Sequence, residues 1–182
     1  MKNRALKQTF ALLIVSLPLI TMAGIEAFSK GPVFKDFGEN APIEGGLENA
    51  KEQHFKVAFD IAKAAEGEAP NRSINSVARF INMHARAGVP VEQIKVVVIV
   101  HGPVSTEMLS ATAYQKRFNK PNPSLALLQA LIEHGVEIVL CGQSAAFNDV
   151  AAADLMPGVT MSLSAMTAHA LYQQQGFTLN PF

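Results

Sequence analysis

The sequence has a single cysteine, Cys141, and it lacks basic runs, internal repeats and the glycine-rich motifs of nucleotide-binding proteins. One cysteine excludes an intramolecular disulfide, because no second thiol is present to pair with it. Without a GxGxxG or Walker motif, nucleotide binding has no support from these residues. No two of the five histidines are four residues apart, the spacing of a helical zinc site. We therefore predict no metal site and no resident cofactor.

The first residues of the chain have the order of a bacterial signal peptide. The basic residues Lys2, Arg4 and Lys7 come first. An apolar stretch without acidic residues follows at 10–20. Pro18 interrupts this stretch, which is shorter than the roughly 18 residues expected of a membrane span. We predict a signal peptide at residues 1–23, cleaved after Ala23 or after Ala27, and a periplasmic mature protein with no stable membrane span. The alternative is an uncleaved N-terminal anchor.

The charge of the mature chain bears on its partners. The whole chain has 15 Lys and Arg and 15 Asp and Glu, and residues 1–23 contain three of the basic residues and none of the acidic ones. The mature chain therefore has a formal net charge of −3. Because its Lys and Arg are scattered, it has no basic patch for a phosphate backbone, and we predict no nucleic-acid partner.

Two regions follow the predicted signal peptide. Residues 24–50 mix glycine, proline and charged residues without a sustained period, which predicts an extended N-terminal arm. In residues 51–182 we predict strands at 55–60, 93–101, 136–141 and 159–163, alternating with helices. The helices are predicted to begin at residue 71 or 73 and to span 124–134, 144–155 and 167–175, with another that Ser105 caps and that carries Glu107 in its first turn. This alternation predicts a single α/β domain, a three-layer α/β/α sandwich with a parallel sheet.

Two chemically active side chains end predicted strands. Cys141 follows the apolar run 136–140, His101 follows the β-branched run 94–100, and glycine comes directly after each. Ligands of open parallel sheets collect beyond the carboxyl ends of the strands. Backbone amides at the start of the following helix favour a thiolate, which would lower the pKa of Cys141. The predicted ligand contacts lie just beyond the two strand ends: Gly102, Gly142, Gln143 and Ser144.

Residues 95–182 resemble a known family through the order and spacing of several short segments. These are Val98-Ile99-Val100-His101-Gly102, Asn122-Pro123, Gly135-Val136, Val139-Leu140-Cys141-Gly142, Pro157-Gly158-Val159 and Gln174-Gln175-Gly176-Phe177. Together they resemble the DsrE/DsrF-like family of small sulfur-relay proteins, in particular its exported members.

This resemblance implies a mostly parallel five-stranded sheet in which the strands ending at His101 and Cys141 are neighbours and residues 177–179 form the fifth strand. It also implies a homo-oligomer, a trimer or hexamer, and a sulfane sulfur carried as a persulfide on Cys141. Neighbouring strands lie about 4.8 Å apart, so the two side chains are expected to approach each other.

Two functional hypotheses follow. In the first, the Cys141 thiolate accepts sulfur from a protein partner, or passes it on, while His101 takes the proton; such a carrier is at most a sulfurtransferase-like enzyme. In the second, the protein is a non-catalytic, oligomeric module of the periplasm that binds a small ligand at the strand ends. Under the second, Cys141 is a buried core cysteine and His101 only hydrogen-bonds a backbone carbonyl.

Overall fold

The computed structural model describes residues 24–181, so the predicted signal peptide lies outside the described residues. Five parallel strands form one sheet in the order β4-β3-β2-β1-β5. Their bounds are Phe55–Ile61 (β1), Ile94–Val100 (β2), Glu137–Cys141 (β3), Val159–Ser162 (β4) and Thr178–Asn180 (β5). The predicted parallel α/β fold, with β2 beside β3, is confirmed.

Helices cover both faces of this sheet. The α-helices of the described chain are Arg72–Arg86 (α1), Ala111–Phe118 (α2), Leu125–Glu133 (α3), Gly142–Phe147 (α4) and Ala165–Gln174 (α5). Asn71, one of the two predicted starts, caps α1 by accepting hydrogen bonds from the N–H groups of Ser73 and Ile74. Between residues 24 and 181, no helix has both the length and the apolar character needed to cross a membrane.

Successive residues of each strand face opposite sides of the sheet. One face, which we call the core face, packs against α1 and α3 and contains the bulky buried residues, among them Phe59, Leu128 and Leu140. The other face, the α5 face, has a smaller cluster: Ala58, Val97, Ile99, Val139 and Ala168. All of β2 except Lys95 is buried, which confirms the prediction of a central strand covered on both sides.

The prediction for residues 105–113 was wrong. Ser105 lies inside a 3-10 helix, Gly102–Met108, and α2 begins only at Ala111, where the Ser110 hydroxyl accepts a hydrogen bond from the N–H of Ala113. Glu107 is not in a helical first turn but is buried. The Glu107 carboxylate accepts hydrogen bonds from the part-buried Ala65 N–H at 2.6 Å, the buried Asn71 amide at 3.2 Å and the buried Ser124 hydroxyl at 2.5 Å, which hold it inside the protein.

The helix predicted at 144–155 is shorter than expected and begins earlier. It spans Gly142–Phe147 and ends because Asp149 adopts a left-handed conformation, with φ of 51°. Asn and Asp tolerate this conformation better than other non-glycine residues, so the Asn148-Asp149 pair was a stop signal that the helical interpretation overlooked. The chain then turns through a short 3-10 helix, Ala152–Asp154, into β4.

The N-terminal arm is irregular and packs on α1. Phe34 is buried against the core, and the Asn82 side chain of α1 accepts hydrogen bonds from the Val33 and Phe34 N–H groups. Arg86 extends the contact by donating to the Asn40 side chain at 2.7 Å. The arm therefore lies on the core face, away from α5.

Candidate functional site

Cys141 lies at the carboxyl end of β3, paired with Ser162 of the edge strand β4. Its side chain is on the α5 face and the residue is 6% exposed. Burial raises the pKa of the thiol, but hydrogen bonds from the Ser144 hydroxyl and from the N–H groups of Ser144, Ala165 and Gln143 outweigh it. The pKa of Cys141 is therefore lowered. These donors belong to the first turns of α4 and α5.

Gly142 makes this arrangement sterically accessible. A Cβ atom at this position would lie 2.8 Å from the carbonyl oxygen of Ser162 and 3.3 Å from that of Leu163. Only a residue without a side chain lets the start of α4 approach the end of β4 so closely. The glycine after Cys141 therefore brings two chain segments together around the thiol.

Ser144 and Asn148 connect the loop after β2 to α4. The Ser144 hydroxyl oxygen accepts a hydrogen bond from the Gly102 N–H at 2.9 Å. The Asn148 amide donates to the Gly102 carbonyl at 3.2 Å and to the Ser144 carbonyl at 2.8 Å. The loops that follow the two predicted functional strands are thus held together. Gln143, another predicted ligand contact, is exposed and donates to the Leu163 carbonyl at 3.4 Å.

His101 directly follows β2 and lies alongside Cys141. Val100 pairs with Leu140, so the next residues in each strand, His101 and Cys141, are neighbours on the α5 face. The His101 ring nevertheless contacts a different group, because its Nε2 lies 3.1 Å from Oδ1 of Asp60. Within residues 24–181, the His101 ring donates no hydrogen bond to the Cys141 sulfur or to a backbone carbonyl.

Asp60 brings a second histidine to the same place. His169 of α5 has its Nε2 2.7 Å from the same Asp60 Oδ1 that His101 contacts. Burial raises the pKa of the Asp60 carboxyl, but the hydrogen bonds and attraction of the two imidazoles outweigh it, and the pKa is lowered. Asp60, His101 and Cys141 therefore occupy the α5 face on three adjacent strands, with His169 above them.

Sequence reasoning missed Asp60 and His169 as members of this site. The sequence predicts Asp60 only as the end of a strand at 55–60 and His169 only as part of a helix at 167–175. Asp60 shares with His101 and Cys141 a position at or near the end of a strand, which was an available signal. The pairing of Asp60 with His169, 109 residues later, has no local signature.

Other features of the described chain limit what this site can be. No group of three or more His, Cys, Asp or Glu among residues 24–181 has an arrangement that could hold a metal ion. A cavity of about 520 Å³ lies between the arm and α1, lined by Ile43, Leu47 and Met83 among others, on the core-face side rather than at the strand ends. The segments around the thiol instead expose three apolar side chains: Phe147 (89%), Leu163 (72%) and Met166 (80%).

Comparison with known proteins identifies the fold family. The model of the DsrE/DsrF-like family matches residues 54–181, which include every residue of the site described above. The chain belongs to this family. Membership places it among proteins with a sulfur-relay type of fold.

Two solved structures are similar to the family domain. The ychN protein from E. coli is 17% identical, covers 70% of this chain and 99% of its own, and superposes with a TM-score of 0.52. A protein of unknown function, MTH1491 from Methanobacterium thermoautotrophicum, is 16% identical with the same coverage and a TM-score of 0.48. No curated protein matches the chain. The E. coli structure supports the DsrE-like fold of this chain.

Proposed function

We propose that this protein is an exported sulfur-relay protein that carries sulfane sulfur as a persulfide on Cys141, with His101 assisting. The observation that supports this most directly is the set of donors around the sulfur: three backbone N–H groups and the Ser144 hydroxyl. Such donors stabilise a thiolate, which is the nucleophilic form of cysteine. A core cysteine has no need of them, because a neutral thiol behaves as a small apolar group.

The proposed step needs no external oxidant or reductant. The Cys141 thiolate attacks the terminal sulfur of a donor persulfide, R–S–S⁻, and a new S–S bond forms at Cys141. The S–S bond of the donor breaks, and its electron pair leaves on the donor thiolate, R–S⁻. The amides that stabilise the thiolate remain close to the new persulfide anion. Release to an acceptor thiol is the same exchange in reverse.

We extend the proposal to the location and partners of the protein. The basic residues and apolar stretch of residues 1–23 support export to the periplasm. Exposed Leu163 and Met166, which flank the N-cap of α5, support a protein partner or a second subunit beside the thiol. A sulfur donor or acceptor protein, and a homo-oligomeric trimer or hexamer, are the partners proposed. Light scattering on the mature protein gives the subunit number.

Intact-mass spectrometry tests the carrier proposal. The mature protein is exposed to glutathione persulfide and then measured with and without reductant. We expect one reductant-reversible gain of about 32 Da, which is absent from Cys141→Ser. The same protein unfolded in urea controls for access to the thiol. A gain in the unfolded but not in the folded protein would show that Cys141 is an inert core cysteine.

A further inference from the structure

The shared oxygen of Asp60 fixes the hydrogen positions of two imidazole rings. A carboxylate oxygen only accepts hydrogen bonds, and Nε2 of His169 and Nε2 of His101 lie 2.7 Å and 3.1 Å from it. A bare nitrogen lone pair at such distances would repel the carboxylate. Both Nε2 atoms therefore carry a hydrogen.

The two rings differ at their other nitrogen. Nδ1 of His169 is buried and has no hydrogen-bond partner among residues 24–181, so a proton there would create a buried N–H with nothing in this part of the chain to accept it. Among the described residues, His169 thus contacts Asp60 through Nε2 and has no acceptor for a hydrogen on Nδ1. The His101 side chain is 33% exposed, and its Nδ1 has no partner among residues 24–181. His101 Nδ1 is the nitrogen of this cluster that is free to exchange a proton.

We propose that Asp60 and His169 are positioning residues that hold His101 with Nδ1 unprotonated, so that this nitrogen takes the proton of the Cys141 thiol. The proposal rests on the sulfur-carrier function proposed above. It assigns Asp60 the task of orienting the ring and stabilising the imidazolium that forms. His169 keeps the Asp60 carboxylate in place by occupying the same oxygen from the side of α5.

The proton balance of the step is complete. Nδ1 of His101 accepts the thiol proton, directly or through one water, and a thiolate and an imidazolium result. The thiolate then attacks the terminal sulfur of the donor persulfide. The donor leaves as a thiolate, and the imidazolium returns its proton to that leaving group. His101 ends the step in its starting state.

The test measures how fast iodoacetamide alkylates Cys141 as a function of pH, in the mature protein and in Asp60→Asn. The groups that face His101 are Asp60 on β1, His169 on α5 and Cys141 on β3. If Asp60 stabilises the imidazolium, its loss disfavours the thiolate–imidazolium pair and raises the pH midpoint of alkylation. If Asp60 is only a neighbouring negative charge, its loss lowers the midpoint. Asp36→Asn, on the exposed part of the arm, is the matched control for the change in charge.

Sulfur transfer gives the second readout. We expect Asp60→Asn to slow loading from glutathione persulfide about 100-fold while the final loaded fraction is unchanged. His169→Gln keeps an Nε2 donor for Asp60 and should load at nearly the native rate, whereas His169→Leu should be slowed. An unchanged or lowered alkylation midpoint in Asp60→Asn, or equal rates for the two His169 variants, would overturn the proposal. Failure of the native protein to load sulfur would instead overturn the carrier function.

Discussion

The two faces of the sheet are built from the same strands but differ in the size and polarity of their side chains. The core face buries large apolar residues against α1, α3 and the N-terminal arm. The α5 face buries a smaller cluster of aliphatic residues and ends in titratable groups. Alternation along each strand produces this division, since Phe59, Val100 and Leu140 on the core face each precede a reactive residue on the α5 face. The core face thus stabilises the fold, and the α5 face has the reactive side chains.

The largest expected effect comes from a cavity on the core face. Leu128 of α3 is fully buried, so Leu128→Ala should lower the free energy of unfolding by about 3 kcal/mol. Leu171→Ala on α5 is the matched control, because that side chain is 49% exposed and should cost much less. Urea unfolding followed by circular dichroism measures both. Equal losses of unfolding free energy in the two variants would contradict the claim that the core face contributes more to stability than the α5 face.

The buried carboxylate of Glu107 gives the next largest effect. Glu107→Gln replaces one acceptor oxygen with a donor, beside the Ala65 N–H and the Ser124 hydroxyl that now bond the carboxylate. We expect a loss of about 2 kcal/mol in urea unfolding, the scale of a buried polar group left without its partner. Glu133→Gln, on the exposed end of α3, should leave stability unchanged. If both variants unfold alike, the Glu107 network does not stabilise the core.

The sequence predicted the elements whose signals are local. The β-branched run of β2 and the glycine after Cys141 act within a few residues and lie where they were expected, and Asn71, one of the two predicted starts, caps α1. The second helix was misplaced because Glu107 looks like a residue of a helical first turn. Its actual partners, which include Ser124, come from distant parts of the chain.

The site was predicted only in part, because some of its residues come from distant parts of the chain. Strand ends located His101 and Cys141 on adjacent strands, and the resemblance to the family supplied the strand order. The partner of His101 was not predicted, because Asp60 and His169 meet only when β1, β2 and α5 assemble. A sequence pattern shows which residues end a strand but not which helix covers them.

The close approach of α4 to β4 at Gly142 helps to position the amide donors around Cys141. Gly142→Ala would place a Cβ against the Ser162 carbonyl, and the end of edge strand β4 must move to admit it. We expect a cost of about 1 kcal/mol in urea unfolding and a higher pH midpoint for Cys141 alkylation, because the amide donors are displaced. Gly46→Ala, at an exposed position of the arm, should leave the alkylation midpoint unchanged. An unchanged midpoint in Gly142→Ala would show that the pKa of Cys141 does not depend on this close approach.

The smallest expected effect is a pH-dependent difference in stability at Asp60. Because its pKa is lowered in the folded protein, Asp60 contributes stability above its unfolded pKa of about 3.9, and this is lost as the pH falls through the lower folded value. Asp60→Asn should therefore be less stable than the native protein at pH 6. The difference should shrink as the pH falls toward 3, as urea midpoints at several pH values will show. A difference that grows on acidification would contradict the depressed pKa.

The pH dependence of Cys141 alkylation in the folded native protein tests the central claim most directly. The lone thiol makes the signal specific, and Cys141→Ser gives the blank. A stabilised thiolate on the α5 face predicts reaction with iodoacetamide without unfolding and a midpoint below the ordinary cysteine value of about 8.5. A thiol that reacts only after urea unfolding, or whose midpoint lies above that value, would show that Cys141 belongs to the core and carries no sulfur.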